Sequence, residues 1–107
     1  MKSIFTIKLH GDLDAITIEP YNNAIETLIA TITDPSIVVL DFSQVQYMNS
    51  TAIGNLAHWF SLFQEKSSEM HLVGLTDNVY DTLELVGLLH AIPHHESIDI
   101  FKQTVNS

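Results

Sequence analysis

The sequence predicts an α/β domain, a small and largely parallel β-sheet with about four helices, and three observations carry that expectation. β-Branched and aliphatic runs alternate with stretches of helical spacing, the order that builds parallel strands through right-handed crossovers. The run Ile37-Val38-Val39-Leu40 is apolar at every position, which suits a strand buried on both faces of a sheet. The chain has 107 residues, 46% of them hydrophobic, enough for a single domain 1–107 with a modest core.

Taken in order, Ile4, Phe5, Ile7 and Leu9 place a strand from about Lys2 to His10, ended by Gly11 and Asp12. Pro20 fits the first turn of a helix, where a missing N–H costs nothing. From Ala24, the residues Ile25, Leu28, Ile29 and Ile32 follow the i, i+3, i+4, i+7 spacing, and the helix should end near Asp34-Pro35, because proline disfavours the α conformation before it. Ser36 leads into the central strand. After Asn49-Ser50-Thr51 the period becomes helical: Ile53, Leu56, Ala57, Phe60 and Phe63 share one stripe, and Asn55, His58, Ser61 and Glu65 lie opposite. Trp59 falls at the edge of the stripe and Leu62 on the polar side.

Glu65 to Glu69 reads as a polar turn, followed by a third strand over His71 to Leu75. Thr76, Asp77 and Asn78 supply N-cap chemistry for a helix from about Val79 to Val86, with Leu83 and Val86 inward and Gly87 as its stop. Ser97, Ile98, Ile100, Phe101, Thr104 and Val105 suggest a last helix covering the sheet.

The junction Asn49-Ser50-Thr51 has its own logic. Asn, Ser and Thr side chains accept hydrogen bonds from the first free N–H groups of a helix, so any of the three can cap. The same N–H groups and the positive helix end would also receive an added phosphate favourably. A hydroxyl placed there can therefore act as a plain cap or as a charge switch.

At these residues a family resemblance becomes specific. The segment VVLDFSQVQYMNSTAIGNL is similar to the hallmark of the STAS domain, the fold of bacterial anti-sigma-factor antagonists, where a buried strand runs into an Asp-Ser-Ser/Thr-Gly-Leu-Gly helix start. IKLHGDLD, residues 7–14, resembles the family's first strand with its Gly-acid-Leu-Asp turn, and the stretch from Met70 through LELVGLLHAI to Ile92 resembles its last strand and following helix. The resemblance implies a STAS fold and a non-enzymatic, phosphorylation-regulated switch. Its partner would be an anti-sigma factor, in this family typically a serine-protein kinase. It places the phosphoacceptor at Ser50, with Thr51 second, and extends the docking surface to the loop of Asp12 and Asp14. Two positions depart from the pattern: Asn49 stands for the family's Asp and Ala52 for its Gly. Family members also carry an additional edge strand before the first one seen here. Its absence or shortness would open that edge and leave homodimer formation available.

Charge narrows the partners. The formal net charge is −9, with four lysines, no arginine and six histidines, which argues against nucleic acid and anionic membranes and favours a protein with a basic face. Acidity that serves only solubility is the plainer reading. No apolar run reaches the ~20 residues of a membrane span, and Met1 to His10 lacks a signal-peptide pattern, so a cytoplasmic protein is expected. With no cysteine, disulfides, thiolate catalysis and Cys-based zinc sites are out.

Around the junction, Asn55, His58 and Leu62 read either as a solvated helix face or, with Trp59 at the rim, as a partner-binding surface with Asn49, Ser50 and Thr51. His90, His94, His95 and Glu96 invite a metal reading, but Pro93 breaks the helix that would align His90 with His94, and surface histidines in a loop are expected instead. Ser50 and His58 stand about 10 Å apart along a helix, too far for a catalytic pair, and no Walker loop or Rossmann fingerprint occurs. No cofactor and no enzyme activity are expected. A STAS subunit of a lipid-transport or signalling scaffold complex is the alternative function, and a small His-dependent metal-binding protein a third.

Overall fold

The computed structural model describes residues 2–106, apart from the side chain of Asn106. Four strands, β1 (Ser3–Leu13), β2 (Ser36–Met48), β3 (Glu69–Val73) and β4 (His94–His95), form one sheet in the order β1-β2-β3-β4, and every neighbouring pair is parallel. Four helices connect or follow them: α1 (Glu19–Thr31), α2 (Ser50–Glu65), α3 (Asp77–Leu85) and α4 (Ile98–Asn106). A single 3₁₀ turn covers Leu88–His90. No helix among the described residues is long and apolar enough to cross a membrane.

The parallel register sorts side chains to two faces. Val38, Leu40 and Phe42 of β2 join Leu9 of β1 and Met70 and Leu72 of β3, and against them pack Ile25 of α1, Leu56, Trp59 and Phe63 of α2, and Val79 and Leu83 of α3. This is the main core. The opposite face carries a small second cluster, Val39, Val73 and Phe101, flanked by Ile37 and Ile98, so among the described residues α4 is the helix that covers that side. Ile37 to Leu40 thus buries on both faces because helices lie above and below β2. Along the described residues β1 pairs only with β2, and its outer edge is unpaired.

Several boundaries differ from the sequence reading. β1 does not stop at Gly11: the glycine sits at φ +82, the register against β2 shifts twice between Lys8 and Asp12, and the strand continues to Leu13. Each shift sets one extra β2 residue against β1, with Lys8, His10 and Asp12 facing Asp41, Gln44 and Tyr47, and the pairing continues past the glycine. β2 likewise runs past Phe42 to Met48. β3 begins at Glu69, within the expected turn, and stops before Gly74, whose φ of +69 turns the chain where a Cβ would approach Ser43 Cβ at 3.1 Å. α1 starts one residue before Pro20 and ends before Asp34-Pro35 as expected.

In α3, Leu83 is buried but Val86 is exposed, because the helix ends at Leu85 and Gly87, in the left-handed conformation, reverses the chain. Thr76 is its N-cap by position, yet the hydroxyl is spent on the Val45 carbonyl 2.7 Å away and not on the helix. His94 and His95 are not in a loop: they form β4, half-buried, paired to β3 through bonds from Leu72 N to Pro93 O and from Gly74 N to His95 O.

Candidate functional site

β2 ends at Met48 and delivers Asn49 to the start of α2 in an extended conformation. Its Oδ1 accepts from Ala52 N at 3.0 Å, and the Asn49 carbonyl accepts the first helical bond from Ile53 N. Asn49 is therefore the cap, and Ser50 is not. Ser50 occupies the first helical position, exposed, and its hydroxyl makes no hydrogen bond to any described residue. Thr51 follows, also exposed. Of the uses open to the Ser50 hydroxyl, capping is removed by the geometry.

The β1–α1 loop is tied to this junction by Asn49 N donating to Leu13 O at 3.0 Å. Asp14 holds the loop shut: Oδ1 accepts from Ile16 N and Thr17 N at 2.9 Å and from the Thr17 hydroxyl, which also donates to Asp12 O. Backbone bonds from Thr17 and Ile16 hold the Asp14 carboxyl below the usual carboxylate range. Asp14 is a turn-former whose carboxylate is already engaged, whereas Asp12 is exposed beside it.

Along α2, His58 is exposed, Asn55 and Leu62 are half-buried, and the Asn55 amide donates back to Thr51 O at 3.0 Å. Trp59 corrects the sequence reading. It is 0% exposed, and its Nε1 donates to Asn22 Oδ1 of α1 at 2.8 Å. α2 packs against both the sheet and α1, so its buried stripe is wider than the spacing alone indicated. Trp59 is core, and no partner can reach it.

Two residues near the junction escaped the sequence reading. Ile16 stands 81% exposed at the tip of the Asp14 loop, and Tyr47 is 49% exposed three residues before Ser50. An apolar residue two after a turn-forming Asp was the available signal for Ile16. Tyr47 had none, since its facing depends on the irregular register at the end of β2. Among the described residues no three His, Asp or Glu side chains come together as a metal site.

The model of the STAS domain family matches residues 2–104. The chain belongs to the STAS domain family. An anti-sigma-B factor antagonist from Listeria monocytogenes is 30% identical over 78 residues, 73% of this chain and 67% of that protein. Among solved structures, the STAS domain of a SulP transporter from Vibrio cholerae superposes with a TM-score of 0.79 at 14% identity, covering 100% of this chain and 88% of that one. The phosphorylated form of the Bacillus cell fate determinant SpoIIAA gives a TM-score of 0.71 at 16% identity, over 97% of this chain and 93% of that one. At these identities the structural likeness is one of fold.

Proposed function

We propose that this STAS domain is a non-enzymatic interaction switch of the anti-sigma-factor antagonist kind, working in the cytoplasm. Unphosphorylated, it docks an anti-sigma factor that is also a serine-protein kinase, using the start of α2 and the β1–α1 loop. Asp12, Asn49, Ser50, Thr51, Asn55, His58 and Leu62 line that surface, Asp14 shapes it, and Ile16 and Tyr47 supply its exposed apolar contacts. The observation that carries the proposal is the Ser50 hydroxyl, exposed and bonded to no described residue at the first position of α2 while Asn49 does the capping.

Phosphate on Ser50 would add roughly −1.5 to −2 charges to a chain already at −9. The helix N-terminus would hold it in place. A loss of about 2.7 kcal/mol of interface free energy by repulsion and desolvation weakens binding about a hundredfold. Asn49, in place of the family's Asp, removes one like charge beside the phosphate without costing the cap. The alternative function, a permanent STAS contact in a lipid-transport or signalling complex, draws support from the fold it shares with a transporter's STAS domain.

The test is incubation with ATP-dependent anti-sigma kinases and intact mass of the wild-type and Ser50→Ala proteins. A single phosphate on the wild type and none on Ser50→Ala is expected. Modification that survives the substitution moves the site, with Thr51 next. No modification by any such kinase, together with co-purification of a transporter ATPase, selects the alternative. The unpaired edge of β1 also supports a homodimer, which sedimentation at increasing concentration checks; a monomer at every concentration removes it.

A further inference from the structure

The second face of the sheet holds a chain of hydrogen bonds unconnected with the Ser50 surface. Lys2 Nζ lies 2.7 Å from Glu69 Oε2; Glu69 Oε1 lies 2.9 Å from His71 Nε2; His71 Nδ1 lies 3.0 Å from His95 Nε2. The two imidazole planes are within 19° of each other, with ring centres 5.2 Å apart. That separation is the N···N distance plus the two ring radii, so the rings meet edge to edge with the two nitrogens aimed at one another. A metal bridging this pair in line would need about 4 Å between the nitrogens at ordinary metal–imidazole bond lengths. The contact is a hydrogen bond.

Its protons can be placed. A carboxylate only accepts, so His71 Nε2 donates to Glu69, His71 Nδ1 keeps its lone pair, and His95 Nε2–H donates to it. One added proton is accommodated: it enters on His71 Nδ1, beside the Glu69 charge, while His95 moves its own proton to Nδ1 and accepts through Nε2. A second added proton leaves an N–H on both facing nitrogens and a positive charge on both rings. The bond is then lost and the rings repel.

We propose that Glu69, His71 and His95 form a proton-operated latch that holds β4 and α4 on the second face of the sheet and releases them when the imidazole pair takes its second proton. What the latch holds is small. β4 is two residues long, and Phe101 of α4 lies against both rings, with centres 5.1 Å from His71 and 5.2 Å from His95, at the centre of the second cluster. The other charged or titratable groups near the pair are few. They are Lys2 beyond Glu69, His94 on β4, Asp41 beside Val73 on β2, and exposed Glu96, which follows His95. On α4, Asp99 and Lys102 are exposed. Burial, then the charges of His71 and His94, press the His95 pKa below the ordinary 6.5, consistent with His95 taking the last proton.

The test is a titration of the whole chain followed by imidazole ¹⁵N shifts and by amide hydrogen-exchange protection, in the wild type and His95→Gln. Expected in the wild type is a final protonation step that belongs to His95. As pH falls below 6.5 toward that step, protection of the Phe101 amide falls by up to about tenfold per pH unit, while Leu40 in the central strand stays protected. In His95→Gln, whose side chain stays neutral, Phe101 protection no longer follows pH. Independent titration of the two histidines, or the same acid loss at Phe101 in His95→Gln, overturns the latch.

Discussion

Asn49 shows how one atom settles the use of its neighbour. Because its Oδ1 takes the Ala52 N–H, the adjoining serine is left to face solvent. Asn49→Ala should therefore cost about 1 kcal/mol, read as a lower urea midpoint at an unchanged slope, and Asn49→Asp should recover it. Ser50→Ala should be close to neutral in the same measurement, within about 0.5 kcal/mol. If Ser50→Ala costs as much as Asn49→Ala, the assignment of the cap is wrong. The triplet Asn-Ser-Thr was visible in the sequence as cap chemistry, but all three residue types qualify, and only backbone geometry chooses among them.

At the scale of the elements, the two faces of the sheet are unequally held. Phe63 and Phe101 are both fully buried, yet Phe63 belongs to the main core and Phe101 to a cluster of three. Phe63→Ala should cost about 3 to 5 kcal/mol of global stability, since three helices and the sheet cannot close the cavity. Phe101→Ala should cost less by chemical denaturation, while abolishing amide protection across α4, because a short terminal helix undocks before the sheet unfolds. Equal global losses would contradict that division. Trp59 teaches a related lesson from α2. Periodicity fixed the phase of the buried stripe but not its width, which depends on α1 lying alongside and offering Asn22. β4 was beyond any local signal, because two histidines after a proline carry no strand pattern and pair only because the edge of β3 is free to receive them.

For the whole molecule, the acid limb of stability should fall in two stages. His95 has its folded pKa lowered, so the unfolded chain binds its proton first. The stability it contributes is complete above 6.5 and is lost as pH falls below that value toward the folded one. Asp14, through backbone bonds from Thr17 and Ile16, and Glu69, through Lys2 and then His71, are also lowered. As acids, they contribute stability above their ordinary values of 3.8 and 4.5, lost as pH falls through the lower folded values. Thermal midpoints should thus be flat above 6.5, decline gently below it, and drop again in strong acid. His95→Gln should erase the first stage and leave the second.

The sequence by itself determined the alternation of strands and helices, the doubly buried β2, the start of α2 and the family, because each is written in spacing among near neighbours or in a contiguous motif. Only the tertiary structure decided that Trp59 is core, that the Ser50 hydroxyl bonds to no described residue, and that His71 and His95, 24 residues apart, meet at hydrogen-bond distance. Those outcomes depend on which surfaces meet once the chain has closed, and the spacing of neighbours along a strand or helix does not encode them.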